Sequence, residues 1–381
     1  MPYFSFSIKE NLNSSEFVNV KKNITYYSKN TKLWKLLHSK KMKSIINFTQ
    51  FENRIKVSIL KKNVLFCVPP SIGLGDAIEY GLAINSIKKN LFFNKIGIAF
   101  VGDYSFLFKK YFSADYIYPH IISEQEIKEY DDVFHFTLEI EELKKQKYVR
   151  SNIAEQISKY FNIPFKNSIN FNKKKFSKIK TVSLFPISKS SIRTMSINLI
   201  NELILFLKNR VNVEIYFNNN SEISNYIENN IIKEGYKKID PVDCPALIKQ
   251  IENIEYGVFI DSGPLHVAKV LEKKGIFIET SVSNNILLKN FNMIKPIKNY
   301  YTSSFCKAPC GLIDIFNYKN RVGCYDTLEI TQNEILNLSN FNILKRGQVK
   351  KNILFYLLNP VGCIKTLSIK RIIKQIDEDL S

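Results

Sequence analysis

Two doubly wound α/β domains in tandem are what the amino-acid sequence predicts, and three observations carry that reading. From Asn63 onward, short apolar runs of strand length alternate with amphipathic stretches of helical period. The alternation stops at a Lys-rich segment over 172–180 and starts again at Thr181. The chain has 381 residues, more than one ordinary core accommodates. Strands that alternate with helices form parallel sheets covered on both faces, and such sheets take their ligands beyond the carboxyl ends of the strands. Two of these units in sequence are therefore expected to face each other across a cleft.

The elements follow in order. Residues 64–68, Val-Leu-Phe-Cys-Val, form a continuous apolar run, the signature of a strand buried on both faces. Spacing predicts a helix over 77–89, a strand over 96–101, a helix over 104–112, a strand over 133–136 and a closing helix over 152–161. The second half repeats the pattern, with strands over 181–185, 213–217, 256–260 and 275–279. Its helices are expected over 197–209, 222–234, 244–252 and 264–272. The expected organisation is an N-terminal extension over 1–60, a first domain over 61–175, a second over 176–338 and a C-terminal extension over 339–381. The N-terminal stretch is polar and weakly periodic, with a short basic amphipathic helix at 33–46, and is either a packed extension or a surface-binding element. A final helix is expected over 367–378.

Composition bounds the function. Hydrophobic residues make up 45% and charged residues 24%, as in a globular protein. The opening residues lack a basic stretch followed by an apolar core, and apolar runs such as 353–358 fall far short of the roughly 20 residues a membrane helix needs. A cytoplasmic protein is expected, with peripheral contact to the inner membrane allowed by its net charge of +20. Of the 55 basic residues only seven are Arg, whereas nucleic-acid readers favour the bidentate Arg. No nucleic-acid partner is therefore expected, and anionic lipids or phosphorylated glycans fit the charge equally well. Six Cys and no leader point to reduced thiols.

Three loops at expected carboxyl ends of strands can carry chemistry. The first contains Gly73, Gly75 and Asp76; it lacks the Gly-Lys-Ser/Thr of a phosphate-binding P-loop, and Ile78 stands where a dinucleotide fingerprint needs a third glycine. Asp76 is either a general base or the cap of the next helix, in a capping box with Glu79. The second is Asp261-Ser262-Gly263-Pro264-Leu265-His266. Asp261 or Ser262 serves as N-cap, Pro264 suits the first turn, and the helix terminus suits a phosphate with His266 nearby. The alternative is an ordinary capped helix with a surface His. The third runs over 186–194, where Lys189 and Arg193 either neutralise a diphosphate or sit on a solvated loop. Cys306, Cys310 and Cys324 have a C-x3-C-x13-C spacing, which holds a metal only if a fourth ligand comes from elsewhere. His38, His120 and His135 show no partner pattern, although His135 ends a predicted strand and so can line the cleft.

Taken together, Gly75-Asp76 after the first strand, a Lys/Arg loop after the mid-chain strand, and the Asp261–His266 segment before a helix resemble the family 9 glycosyltransferases. These are the ADP-heptose:lipopolysaccharide heptosyltransferases and their relatives, and the resemblance spans roughly 62–335. It implies a GT-B fold and an inverting transfer of a sugar from a nucleotide-diphosphate donor, ADP-heptose or similar, to a lipopolysaccharide or other glycan or glycolipid acceptor. It implies no cofactor and no metal at the active centre. Asp76 takes the place of the family's general base, Arg193 with Lys189 that of the groups stabilising the leaving diphosphate, and Ser262, Gly263, Pro264 and His266 that of the diphosphate-binding turn oriented by Asp261. The sequence departs from the family at Arg193-Thr194-Met195, which lacks a Trp, and at 279–283, where a Gly-rich turn is usual. The rival readings are a catalytically inactive sugar-nucleotide-binding or scaffold protein and a basic membrane-surface or nucleic-acid binder.

Overall fold

The computed structural model describes residues 3–9, 21–28, 46–51, 62–69, 72–90, 93–100, 102–112, 114–118, 122–136, 152–161, 163–165, 178–304, 306–311, 324, 357 and 359–381. The chain forms two compact units, Met1–Asn170 and Phe171–Ser381.

Unit 1 opens with three antiparallel strands, β1 (Tyr3–Ile8), β2 (Thr25–Ser28) and β3 (Ile46–Phe51), where an extension was expected. Phe4, Phe6 and Ile8 alternate with Ser5 and Ser7, the period of a strand with one buried face. Phe6 pairs in register with Tyr26 and is 1% exposed. The helix expected over 33–46 lies outside the described residues except for Ile46, which begins β3.

The parallel core of unit 1 then follows: β4 (Asn63–Cys67), α1 (Leu74–Asn90), β5 (Lys95–Ala99), α2 (Ser105–Tyr111), β6 (Tyr116–Tyr118), β7 (Ile122–Ser123), α3 (Glu124–Ile127), β8 (Asp132–His135) and α4 (Ile153–Tyr160). Strand order is β6-β5-β4-β8, while β7 leaves this sheet to extend the N-terminal one in the order β3-β1-β2-β7. Alternation along β4 assigns its faces. Phe66 stacks on Phe134 and Phe136, and Phe136 on Tyr80 of α1. Leu65 and Cys67 point the other way, into a cluster with Ala99, Ile122 and Tyr130. The short α3 begins with a complete capping box: Glu126 N–H donates to Ser123 Oγ at 3.2 Å, and Ser123 N–H to Glu126 Oε2 at 2.7 Å.

Unit 2 is a six-stranded parallel sheet in the order β11-β10-β9-β12-β13-β14. Its elements are β9 (Thr181–Phe185), a 3-10 turn (Ser191–Arg193), α5 (Ile197–Leu207), β10 (Asn212–Tyr216), α6 (Glu222–Asn230), β11 (Lys237–Ile239), α7 (Cys244–Ile251), β12 (Tyr256–Phe259), α8 (Gly263–Val270), β13 (Gly275–Ile278), α9 (Asn284–Leu287), β14 (Ile294–Ile297), α10 (Gly362–Lys365) and α11 (Ile369–Leu380). The inner strands are the predicted apolar runs. The two edge strands, Lys-Lys-Ile and Ile-Lys-Pro-Ile, have no apolar run to betray them, and Pro296 is tolerated because β14 lies on the edge. Ile372 and Ile376 of α11 join the core that α5 covers with Leu199, Leu203 and Leu207. The helix is also tied by Tyr256 Oη, which donates to Asp379 Oδ2 at 2.7 Å, and by ion pairs of Lys295 with Asp379 and Arg210 with Asp377.

The β12–β13 pairing depends on two glycines in register, Gly257 and Gly275. A Cβ on Gly275 would stand 2.1 Å from the Gly257 carbonyl oxygen, a backbone atom that cannot rotate away. Gly275→Ala should therefore destabilise unit 2 by about 3 kcal/mol or more in chemical denaturation. A loss under about 0.5 kcal/mol, the range of an ordinary surface change, would contradict the close strand approach.

Candidate functional site

In unit 2 the chain lays down β9 first, then β10 and β11 to one side and β12, β13 and β14 to the other. The order reverses between β9 and β12, the place where sheets of this kind take their ligands. The two loops picked out from the sequence are the ones that leave β9 and β12. Arg193 Nη1 donates to Asp261 Oδ2 at 3.2 Å, bridging them across 68 residues of sequence. The Asp261 side chain is 7% exposed and that of Arg193 19%. Burying a carboxylate without a hydrogen-bonded or charged partner is unfavourable, and Arg193 supplies that partner.

The loop after β9 is not a solvated loop. Ser188, Ser190, Ser191 and Ile192 are buried. Thr194, 1% exposed, stitches it: its Oγ1 donates to the Ser190 carbonyl at 2.9 Å and accepts from Ser188 N–H at 3.2 Å. Met195 N–H closes the loop onto the Pro186 carbonyl at 2.9 Å. The Thr194 hydroxyl, which nothing in the sequence pattern marks as structural, fixes the loop beside Arg193. Lys189 is exposed and makes no described contact with the Arg193–Asp261 pair.

The loop after β12 differs from expectation in two details. Ser262 occupies the N-cap position of α8 without a side-chain cap bond, its Oγ instead donating to the Ile260 carbonyl at 3.4 Å. Asp261 spends its carboxylate on Arg193 rather than on the helix. Gly263 and Pro264 form the first turn, and His266 is buried at 8% exposure rather than on the surface. The neighbouring loop after β13 is held by a residue the sequence reading did not single out as functional. Glu279, 3% exposed, accepts from Asn284 N–H at 2.7 Å and Asn299 N–H at 3.1 Å. A carboxylate at the end of a buried strand was the available signal.

Unit 1 has the same reversal, between β4 and β8, and the loop leaving β4 ends at Gly73, from which α1 leads directly to Asp76. The helix starts at Leu74, earlier than expected, so Asp76 is its third residue and not its N-cap. The capping box with Glu79 is thereby corrected. Asp76 Oδ2 accepts from the Gly73 N–H at 3.2 Å, the reach-back bond of a residue in the first turn, and Glu79 is buried farther along. Its negative charge also suits the helix N-terminus. The Asp76 side chain is exposed. Burial first, and then the Asp76 charge one turn before it, push the Tyr80 phenol far above its ordinary range and keep it protonated. Gly75 lies inside α1, and left-handed φ values among the described glycines occur at Gly102, Gly235 and Gly311 rather than at Gly73, Gly75 or Gly263. His135 ends β8 opposite Cys67 and is buried; His38 and His120 lie outside the described residues.

The cysteines gain a fourth member. Burial, and next the neighbouring thiols of Cys324, Cys306 and Cys310, push the Cys363 thiol of α10 well above its ordinary range. Burial and Cys310 raise Cys306 in the same way. Among the described residues, however, no three His, Cys, Asp or Glu side chains are arranged to hold a metal ion. Nor is any helix among them long and apolar enough to cross a membrane.

No protein-family model matches the sequence, and no curated protein matches it. Solved structures do. The family 9 glycosyl transferase from Veillonella parvula superposes with a TM-score of 0.53 at 8% identity, over 84% of this chain and 99% of that one. The E. coli heptosyltransferase WaaC with ADP gives 0.45 at 8% identity over 61% and 93%, and the dodecameric glycosyltransferase TibC from enterotoxigenic E. coli gives 0.46 at 10% identity over 85% and 78%. The last two scores fall below 0.5 and add no weight. The first shows the fold: the chain shares the two-unit α/β GT-B architecture of that structure.

Proposed function

We propose that this protein is a glycosyltransferase that moves a sugar from a nucleoside-diphosphate donor, ADP-heptose or a similar sugar nucleotide, to a hydroxyl of a surface-glycan acceptor. The observation that carries the reading is the Arg193–Asp261 pair at the reversal point of unit 2. It fixes a guanidinium, at a stated place, where sheets of this kind take their ligands. A guanidinium presents five N–H donors in a planar fork and can serve a carboxylate and a phosphate together. The Ser262–Gly263–Pro264 turn and the N-terminus of α8 stand beside it, and the helix dipole there favours an anion.

In the proposed reaction the acceptor oxygen attacks the anomeric carbon and its proton passes to the Asp76 carboxylate. The bond from that carbon to the diphosphate oxygen breaks, and its electron pair leaves with the diphosphate. Arg193 meets the charge that grows on the leaving group, a contact that strengthens toward the transition state and so lowers the barrier. Asp76 suits its part because its side chain is exposed and its one described hydrogen bond, from Gly73, leaves it an acceptor.

Two measurements check this reading. Among ADP, GDP, UDP and CDP, one should stabilise the protein saturably, by roughly 2.7 kcal/mol at a hundredfold excess over Kd. Arg193→Ala strands the Asp261 charge, so the matched test is the Arg193→Ala, Asp261→Ala double variant, which should bind that nucleotide at least about tenfold more weakly. Indifference of the unaltered protein to all four would sink the proposal. Asp76→Asn keeps an oxygen that can accept from Gly73 N–H but cannot take a proton. It should leave thermal stability and nucleotide affinity unchanged while slowing sugar transfer about a hundredfold or more. Undiminished transfer by this variant would remove Asp76 from the mechanism.

A further inference from the structure

The charges of α11 run against the helix dipole. Lys370, Arg371 and Lys374 occupy its first half and Asp377, Glu378 and Asp379 its second, so cations crowd the positive end and anions the negative end. The acidic end has a local reason, since Asp377 takes Arg210 and Asp379 takes Tyr256 and Lys295. At the basic end Lys374 pairs with Glu378 one turn on, whereas Lys370 and Arg371 have no carboxylate partner among the described residues. Lys370 and Arg371 are exposed, and the Arg371 guanidinium lies 4.7 Å over the ring of Tyr300, itself 67% exposed. Lys298, on the segment leaving β14, is exposed beside it in sequence. One cation thus covers an aromatic side chain that folding leaves in water, and two more exposed cations lie one and two positions along the chain from that pair.

The location of this patch matters. Tyr300 follows the carboxyl end of β14, on the same edge of the sheet as the loops after β9 and β12. The short α10, just before α11, packs against the 3-10 turn that carries Arg193. The patch therefore adjoins the proposed donor loop.

We propose that Lys298, Tyr300, Lys370 and Arg371 dock unit 2 on an anionic lipid surface, with the cations on headgroup phosphates and the tyrosine at headgroup depth. Cations near such a surface each add to binding, and amphipathic aromatic rings settle at the membrane–water boundary. One face of the Tyr300 ring is already covered by the guanidinium, which makes it a poor platform for stacking a nucleic-acid base. The purpose of the contact rests on the transferase reading: an acceptor anchored in lipid would be met at the membrane by an enzyme whose donor loop lies beside its docking patch.

The test is co-sedimentation of the full chain with phosphatidylcholine vesicles, with and without phosphatidylglycerol. Binding should require the anionic lipid and weaken with added salt. The triple variant Lys298→Ala, Lys370→Ala, Arg371→Ala should partition on the order of 100-fold more weakly. A charge-matched control, Lys233→Ala, Lys237→Ala, Lys238→Ala, changes exposed lysines at and beside β11, on the opposite edge of the sheet, and should stay within about twofold of the unaltered protein. Equal losses in the two variants would show that net charge alone drives binding, and failure of the unaltered protein to sediment would likewise overturn the docking. Tighter binding of a single-stranded oligonucleotide through the same three residues would replace lipid by nucleic acid. Nucleoside-diphosphate stabilisation is read on the same samples. If it persists while vesicle binding fails, the docking is wrong and the transferase reading stands.

Discussion

The ion pair between Arg193 and Asp261 is the constraint on which the architecture of unit 2's ligand edge depends. Adjacent parallel strands can be followed by loops that wander apart, and nothing in the β9–β12 pairing itself fixes the chain beyond Phe185 and Phe259. A buried carboxylate does. Removing Asp261 from water is unfavourable unless a cation meets it, so the loop after β9 must deliver Arg193 to one place. The buried hydroxyl of Thr194 makes that delivery reproducible by satisfying backbone groups on the loop at both Ser188 and Ser190. Glu279 performs a comparable service one strand farther on, where its two oxygens hold the loop after β13 to the segment leaving β14. The result is a set of loops positioned by buried charge and hydrogen bonds while the apolar core lies beneath them.

The two units solve the same topological problem with different chemistry. Each places its first parallel strand beside the reversal of strand order and hangs its candidate residues on the loop that follows. In unit 2 that loop brings a cation, suited to an anionic ligand. In unit 1 it brings a carboxylate that is exposed and tethered to the Gly73 amide. The tether and the proposed chemistry are compatible, because accepting one N–H uses only part of a carboxylate's capacity. A structural role for Asp76 is thus no argument against a catalytic one.

Much of this was legible in the sequence, for physical reasons that also explain the rest. The central strands of both sheets are buried on two faces and read as apolar runs, so 181–185 and its neighbours are plain. The edge strands β11 and β14 face water and carry Lys and Pro, and the pattern that reveals a buried strand is missing. The Phe-Ser alternation of β1 was there to be seen, but a polar, Lys-rich neighbourhood hid it. Helix α1 begins three residues before the expected 77 because Gly75, which reads as loop, is tolerated inside it where the nearby Leu74 and Ala77 are buried. The loops that carry the candidate residues were visible from their Gly, Pro and charge content. That Arg193 and Asp261 touch was not, since a contact across 68 positions is a property of strand order. Cys363, distant in sequence from the other cysteines, escaped for the same reason.

The most direct test of the central claim is amide hydrogen exchange in unit 2, with and without a saturating nucleoside diphosphate. The account predicts added protection concentrated in the loops after β9 and β12, at 186–196 and 261–266, with little change along the opposite, amino-terminal edge of the sheet. Saturable binding with protection elsewhere, and none in those two loops, would place the ligand away from the Arg193–Asp261 pair and contradict the account.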